Sequence, residues 1–264
     1  MAAMDEFQKE REAVKNGTFK VKLAYFWDYY KVHTIVTVVV IIFLSSWIYE
    51  LITATDPVLS VNFLNLSSIR EENMTNRLLD EFIEEQKIDT KEYGIDRRTN
   101  LRYITEAEMA ESEATATGNK ASSNYNTLQI LLAQTGANTL DAIIGPHAAL
   151  NELAYQDYFV DLSTALTVEE YALYKPYFLY IDRAVIEARQ EAYNSNEPVT
   201  SIPISLSNSA ENFEDPIPTF IDLSQCEKVK EIYGEDTENL AIAIVTNAKN
   251  KEMTMKFVDF LIKK

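Results

Sequence analysis

The sequence predicts an α/β domain preceded by one transmembrane helix, and three observations predict it. The run TIVTVVVIIFLSSWIYELI, residues 34–52, carries Glu50 as its only charge. From Asp56 onward, short apolar runs alternate with stretches whose apolar residues recur at helical spacing. With 264 residues, 47% of them hydrophobic, the chain can bury a sizeable core in one or two domains.

The apolar run comes first. At ~1.5 Å per residue a helix of this length spans roughly 28 Å, close to the ~30 Å hydrocarbon layer. Amphipathic rings gather at headgroup level, and Trp27, Tyr29 and Tyr30 with Lys31 on one side, and Trp47 and Tyr49 on the other, read as interface anchors. Lys20, Lys22 and Lys31 precede the run, whereas Glu50 and Asp56 close it. The positive-inside rule then places the amino terminus in the cytoplasm. A cleaved signal peptide is disfavoured, because the apolar run is long and ITATDP is a poor cleavage pattern. The expected organisation is a cytoplasmic tail and juxtamembrane segment (1–33), a transmembrane helix (34–52) and an extracellular α/β domain (56–264). Residues 1–18, with acids and bases interleaved, read as a solvated tail.

Charge divides along the same line. Residues 1–55 hold six acidic and six basic side chains, so the remaining 35 acidic and 18 basic ones carry the whole formal charge of -17. Such a surface repels phosphate backbones, which argues against nucleic acid as a partner.

The outer elements follow in order. VLSVNFLNL (58–66) reads as a strand, and Ser68 to Glu71 fits a capping box opening a helix that buries Met74, Leu78, Leu79, Phe82 and Ile83. LRYIT (101–105) is expected as the second strand and 106–124 as a surface loop. A helix through Tyr125, Leu128, Leu131 and Leu132 leads to DAII, a short buried strand, with Gly145-Pro146 as a turn into the next helix. This alternation implies crossovers and a largely parallel sheet. Pro176 separates a short helix from an apolar run ending in a polar turn at 194–198; TSIPISLS (200–207) reads as a strand. NLAIAIVT (239–246) reads as a buried strand, and Met253, Phe257, Phe260 and Leu261 mark a closing amphipathic helix.

Residues able to carry chemistry are few. The one cysteine, Cys226, excludes an intrachain disulfide and a multi-cysteine metal site, and its surroundings suit a structural thiol. With only His33 and His147, a multi-histidine site is excluded too, and no nucleophile-elbow or zinc-protease pattern surrounds His147. The acidic groups at Glu81, Glu84, Glu85 and at Glu235, Asp236, Glu238 lack calcium-loop spacing. Six glycines form neither a phosphate cradle nor a dinucleotide fingerprint, so no cofactor is expected. The tyrosines crowded between 155 and 193 read as packing, with a binding surface as the alternative.

Two blocks carry a resemblance. DAIIGPHAALNELAYQDYFVDLSTAL, with its Tyr158 to Leu162 corner, and LAIAIVTNAKNKEMTMKFVDFLIKK are similar to segments of the extracellular solute-binding proteins of bacterial ABC importers. The aromatic-rich anchor resembles those of single-pass membrane proteins of Gram-positive bacteria. The resemblance implies a type II periplasmic-binding-protein-like fold, and 209 outer residues imply one main lobe with the second reduced or absent. It also implies ligand contacts at the carboxyl ends of strands, which puts Asn65, Ser67, Gly145 and His147 forward as ligand-facing. The expected function is a membrane-anchored extracellular binding or interaction domain without catalysis, whose partners are the lipid bilayer and a small solute, a peptide or a membrane protein. An accessory or scaffold subunit of a membrane complex is the alternative, and an envelope hydrolase using His147 stands last.

Overall fold

The computed structural model describes residues 18–53, 56–66, 68–90, 93–113, 120–233 and 239–263. The chain divides into two compact units, residues 1–55 and 56–264. In the first, helix α1 (Phe19–Thr53) runs unbroken for 35 residues. Its Tyr30–Tyr49 stretch is long and apolar enough to cross a membrane, and none of it is buried by protein. The expected solvated tail lies almost wholly outside the described residues.

The second unit is built on one six-stranded sheet in the order β2-β1-β3-β6-β5-β4. Its strands are β1 (Asp56–Leu64), β2 (Tyr93–Leu101), β3 (Ala142–Pro146), β4 (Phe178–Asp182), β5 (Pro216–Asp222) and β6 (Leu240–Ile244). β1 pairs parallel with β2 and β3, while β3 with β6, β6 with β5 and β5 with β4 are antiparallel. The largely parallel sheet expected from the alternation is therefore confined to β2, β1 and β3. Helical crossovers enforce parallel pairing only there; β6 enters beside β3 from the far end of the chain and runs the other way.

Side chains alternate cleanly across the sheet, as a strand's two-residue period requires. Leu59, Val61 and Phe63 of β1, and Ile242 and Ile244 of β6, face one core. That core is closed by α2 (Ile69–Gln86) through Leu78, Leu79 and Phe82, by α9 (Glu227–Tyr233) and by α10 (Lys251–Ile262). Ile143, Ala241, Ala243 and Phe220 face a second core under α4 (Lys120–Gly136), α5 (His147–Ala154) and α8 (Arg183–Asn194). Short helices α3 (Glu106–Glu113), α6 (Leu162–Ala165) and α7 (Val168–Tyr174) complete the connections. The capping box at Ser68 is present: Ser68 Oγ accepts the Glu71 N–H at 3.2 Å, and Glu71 accepts the Ser68 N–H at 2.6 Å.

Four expectations shift. The second strand is 93–101, not 101–105: Tyr103 gives its N–H to Asn65 Oδ1 at 2.8 Å, and Asn124 brackets both backbone groups of Ile104, so this segment is satisfied by side chains instead of a ladder. Residues 106–113 are helical rather than loop. Gly145 and Pro146 belong to β3, paired with Ala241 and Leu240, and the helix starts at His147 with no intervening turn. Residues 200–207 are not a strand, since Pro203 offers no N–H and only Ser207 bridges to Tyr180. The strand that occupies the sheet there is β5, hidden in the sequence by Pro216 and Pro218; a register shift where Tyr180 meets Pro218 accommodates the missing donor.

Just before β3 the buried Asp141 fastens three segments. Its carboxylate accepts the N–H of Ser60 at 2.9 Å and that of Asn250 at 2.8 Å, while Asn250 Nδ2 donates to it at 3.1 Å.

Candidate functional site

β1, β2, β3 and β5 end on one edge of the sheet, where β4 and β6 begin. The chain leaves β1 toward β2 on one side and β3 lies on the other, so the reversal of strand order falls between β1 and β3. Open α/β sheets hold ligands at that position. Here the protein fills it. The Tyr233 hydroxyl of α9 lies 3.1 Å from the Leu64 carbonyl and 3.3 Å from that of Ile144, bridging the last residue of β1 and the middle of β3. Burial pushes this phenol well above its ordinary pKa. A Cβ on Gly145 would meet Leu64 Cβ at 3.0 Å, so only glycine lets β1 and β3 approach this tightly there.

His147 opens α5 immediately after β3. Its N–H donates to the Asn239 carbonyl at 2.7 Å, and Nε2 sits 3.1 Å from the Leu240 carbonyl and 3.4 Å from Asp222 Oδ1. Two acceptors around one ring nitrogen place the proton on Nε2. Asp222, the last residue of β5, also accepts the Ser224 N–H at 2.9 Å and its hydroxyl at 2.8 Å. Burial pushes the Asp222 carboxyl up, but the bonds from His147 and Ser224 outweigh burial and hold it below the usual carboxylate range. A hydrolytic serine must give its proton to the imidazole. Ser224 gives its proton to the carboxylate instead, so the group braces β3, β5 and β6 and has no activated nucleophile.

Beside Asp222 the edge opens into a hollow of about 700 Å3, lined by Tyr177, Asp222, Gln225, Cys226, Leu261 and Lys263 among others. The Cys226 thiol donates to the Leu261 carbonyl at 2.7 Å, and burial pushes its pKa up, which marks a structural thiol. Lys228 is committed to Phe260, 3.6 Å above the ring and 2.6 Å from its carbonyl.

Of the strand-end residues singled out from the sequence, Asn65, Gly145 and His147 lie on this edge, and Ser67 lies outside the described residues. Asn65 and His147 each commit one side-chain atom to bonds inside the fold. Asn65, at φ 62°, donates its N–H to the Leu101 carbonyl and accepts from Tyr103. Gly145 packs on Leu64, and His147 is braced as described. On α1, Trp27, Tyr30, Lys31, Trp47 and Tyr49 are exposed, and Tyr29 belongs to the same helix. Among the described residues no cluster of three metal-ligating side chains occurs.

Sequence reasoning missed Asp222, Ser224 and Tyr233. A signal for the first two was present: FIDLS (220–224) repeats the pattern of FVDLS (159–163). In both copies the aspartate accepts the N–H and hydroxyl of the serine two residues on, and Phe159 and Phe220 meet edge to face at 5.6 Å. Tyr233 carried no local signal, because its partners are backbone carbonyls far away in the chain.

No protein-family model matches the chain, and no curated protein matches it in sequence. Among solved structures, the crystal structure of an ABC transporter substrate-binding protein from Bradyrhizobium japonicum aligns over 78% of each chain, with TM-score 0.30 and 11% identity.

Proposed function

We propose that the protein is a membrane-anchored, non-catalytic interaction domain that recognises a protein or peptide partner. In this reading α1 crosses the bilayer with the amino terminus in the cytoplasm, and residues 56–264 stand outside. The observation that supports a macromolecular partner most is the filled strand crossover: Tyr233 and the Leu64–Gly145 contact occupy the crevice a small solute would need. A partner must then be met on the surface. Crosslinking of the full-length chain in native membranes, followed by mass spectrometry, is expected to return a constant protein partner. Release of the chain by alkaline carbonate, or recovery of the chain without any partner, would sink the reading.

A second reading, solute binding, draws on the open hollow beside Asp222. Thermal-shift screening against sugars, amino acids and short peptides tests it. A stabilising small ligand whose effect is lost in Tyr177→Ala would favour this reading over the first.

A further inference from the structure

Helix α1 is longer than a bilayer needs. Its 35 residues extend roughly 52 Å, against ~30 Å of hydrocarbon and ~40–45 Å with the headgroups included. If the Tyr30–Tyr49 stretch fills the hydrocarbon, Leu23 stands about 10 Å and Phe19 about 16 Å beyond it. Headgroups reach only ~5–8 Å on each side. Phe19 is nevertheless 79% exposed and Leu23 55%, an apolar pair that an upright helix holds in water without lipid to cover it.

These two residues begin a line. Phe19, Leu23, Phe26 and Tyr30 are spaced four, three and four apart, the alternation of a coiled-coil seam. Phe26 stacks on Tyr30 at 5.4 Å, and Tyr30 meets His33 at 6.5 Å, so neighbours on the line touch. The same spacing continues to His33 and Thr37, which puts two polar residues of the apolar span on this face. Polar side chains within a bilayer favour a face that meets another helix.

From these observations we infer that α1 pairs with α1 of a second copy of this chain through the face that Phe19, Leu23, Phe26 and Tyr30 begin. The inference rests on the membrane-spanning reading of α1. Two features select a second copy as occupant. Chains inserted by the same charge rule share one orientation, so their α1 helices are parallel, as an in-register seam demands. In a parallel pair the flanking position before one core residue faces the position five residues later on the other helix. That sets Lys22 of each copy against Trp27 of the other, an ammonium against an indole face.

The full-length chain carrying Cys226→Ser and one new cysteine, reconstituted in vesicles and oxidised, tests the pairing. Leu23→Cys and Phe26→Cys are expected to give disulfide-linked dimer, and Ala24→Cys, on the far side of the seam, to give none. In nanodiscs the unaltered protein should show twice the chain mass, and Leu23→Lys should halve it. Equal crosslinking at all three positions, a single-chain mass for the unaltered protein, or a crosslink to a different protein overturns the inference. Carbonate extraction of the same vesicles separates the two failures: a chain that is released was never anchored, whereas one that stays but remains monomeric refutes the pairing alone.

Discussion

Two carboxylates in the α/β unit respond to acid in opposite senses. Asp222 is held below its ordinary pKa, so it contributes stability that is present above the unfolded value near 4 and is lost as pH falls through the folded value. Asp222→Asn is expected to cost about 1–2 kcal/mol at neutral pH and to flatten the acid limb of stability measured by urea unfolding. Glu152 of α5 is the reverse. Burial raises its carboxyl although it accepts the Glu106 N–H at 2.7 Å, and Tyr103, Glu106, Gln156 and Arg189 surround it. A raised carboxyl penalises the folded state at neutral pH, and the penalty lifts as pH falls through its folded pKa. Glu152→Gln should therefore stabilise by about 0.5–1 kcal/mol at pH 7, an advantage that vanishes toward pH 4 in the same assay. Tyr233→Phe removes the proton shared by the Leu64 and Ile144 carbonyls. A loss of about 1–2 kcal/mol, read by chemical denaturation, is expected.

Among elements, those with a strong period were legible in the sequence and those satisfied by distant groups were not. β6 is fully apolar, and α2 and α10 show amphipathic spacing, so each was visible locally. β2 is the opposite case: YGIDRRTNL is the last strand on its side of the sheet among the described residues, and its polar residues give no alternation to read. β5 is concealed by its prolines. The carboxyl edge was legible as a place, because Gly145 and His147 follow an apolar run, but its closure was not, since Tyr233 acts across a separation of 169 residues from Leu64. Asp141 belongs to this scale because it ties β1 and the start of α10 to β3. Asp141→Ala leaves buried donors on Ser60 and Asn250 unpaired, and a loss of about 2–4 kcal/mol in urea unfolding is expected.

For the molecule as a whole, the second unit has two cores but one sheet between them. Both cores share strands β1, β3, β5 and β6, so neither can melt while the other persists. Residues 56–264 are expected to unfold in one calorimetric transition with matching calorimetric and van't Hoff enthalpies; two resolved transitions would show that the cores are separable. The same sheet has a mechanical consequence. A receptor made of two lobes reports its ligand by folding shut about a hinge. One continuous sheet has no such joint, so on the reading proposed above an encounter would register as a change in what stands beside the domain, not as a change in its own shape.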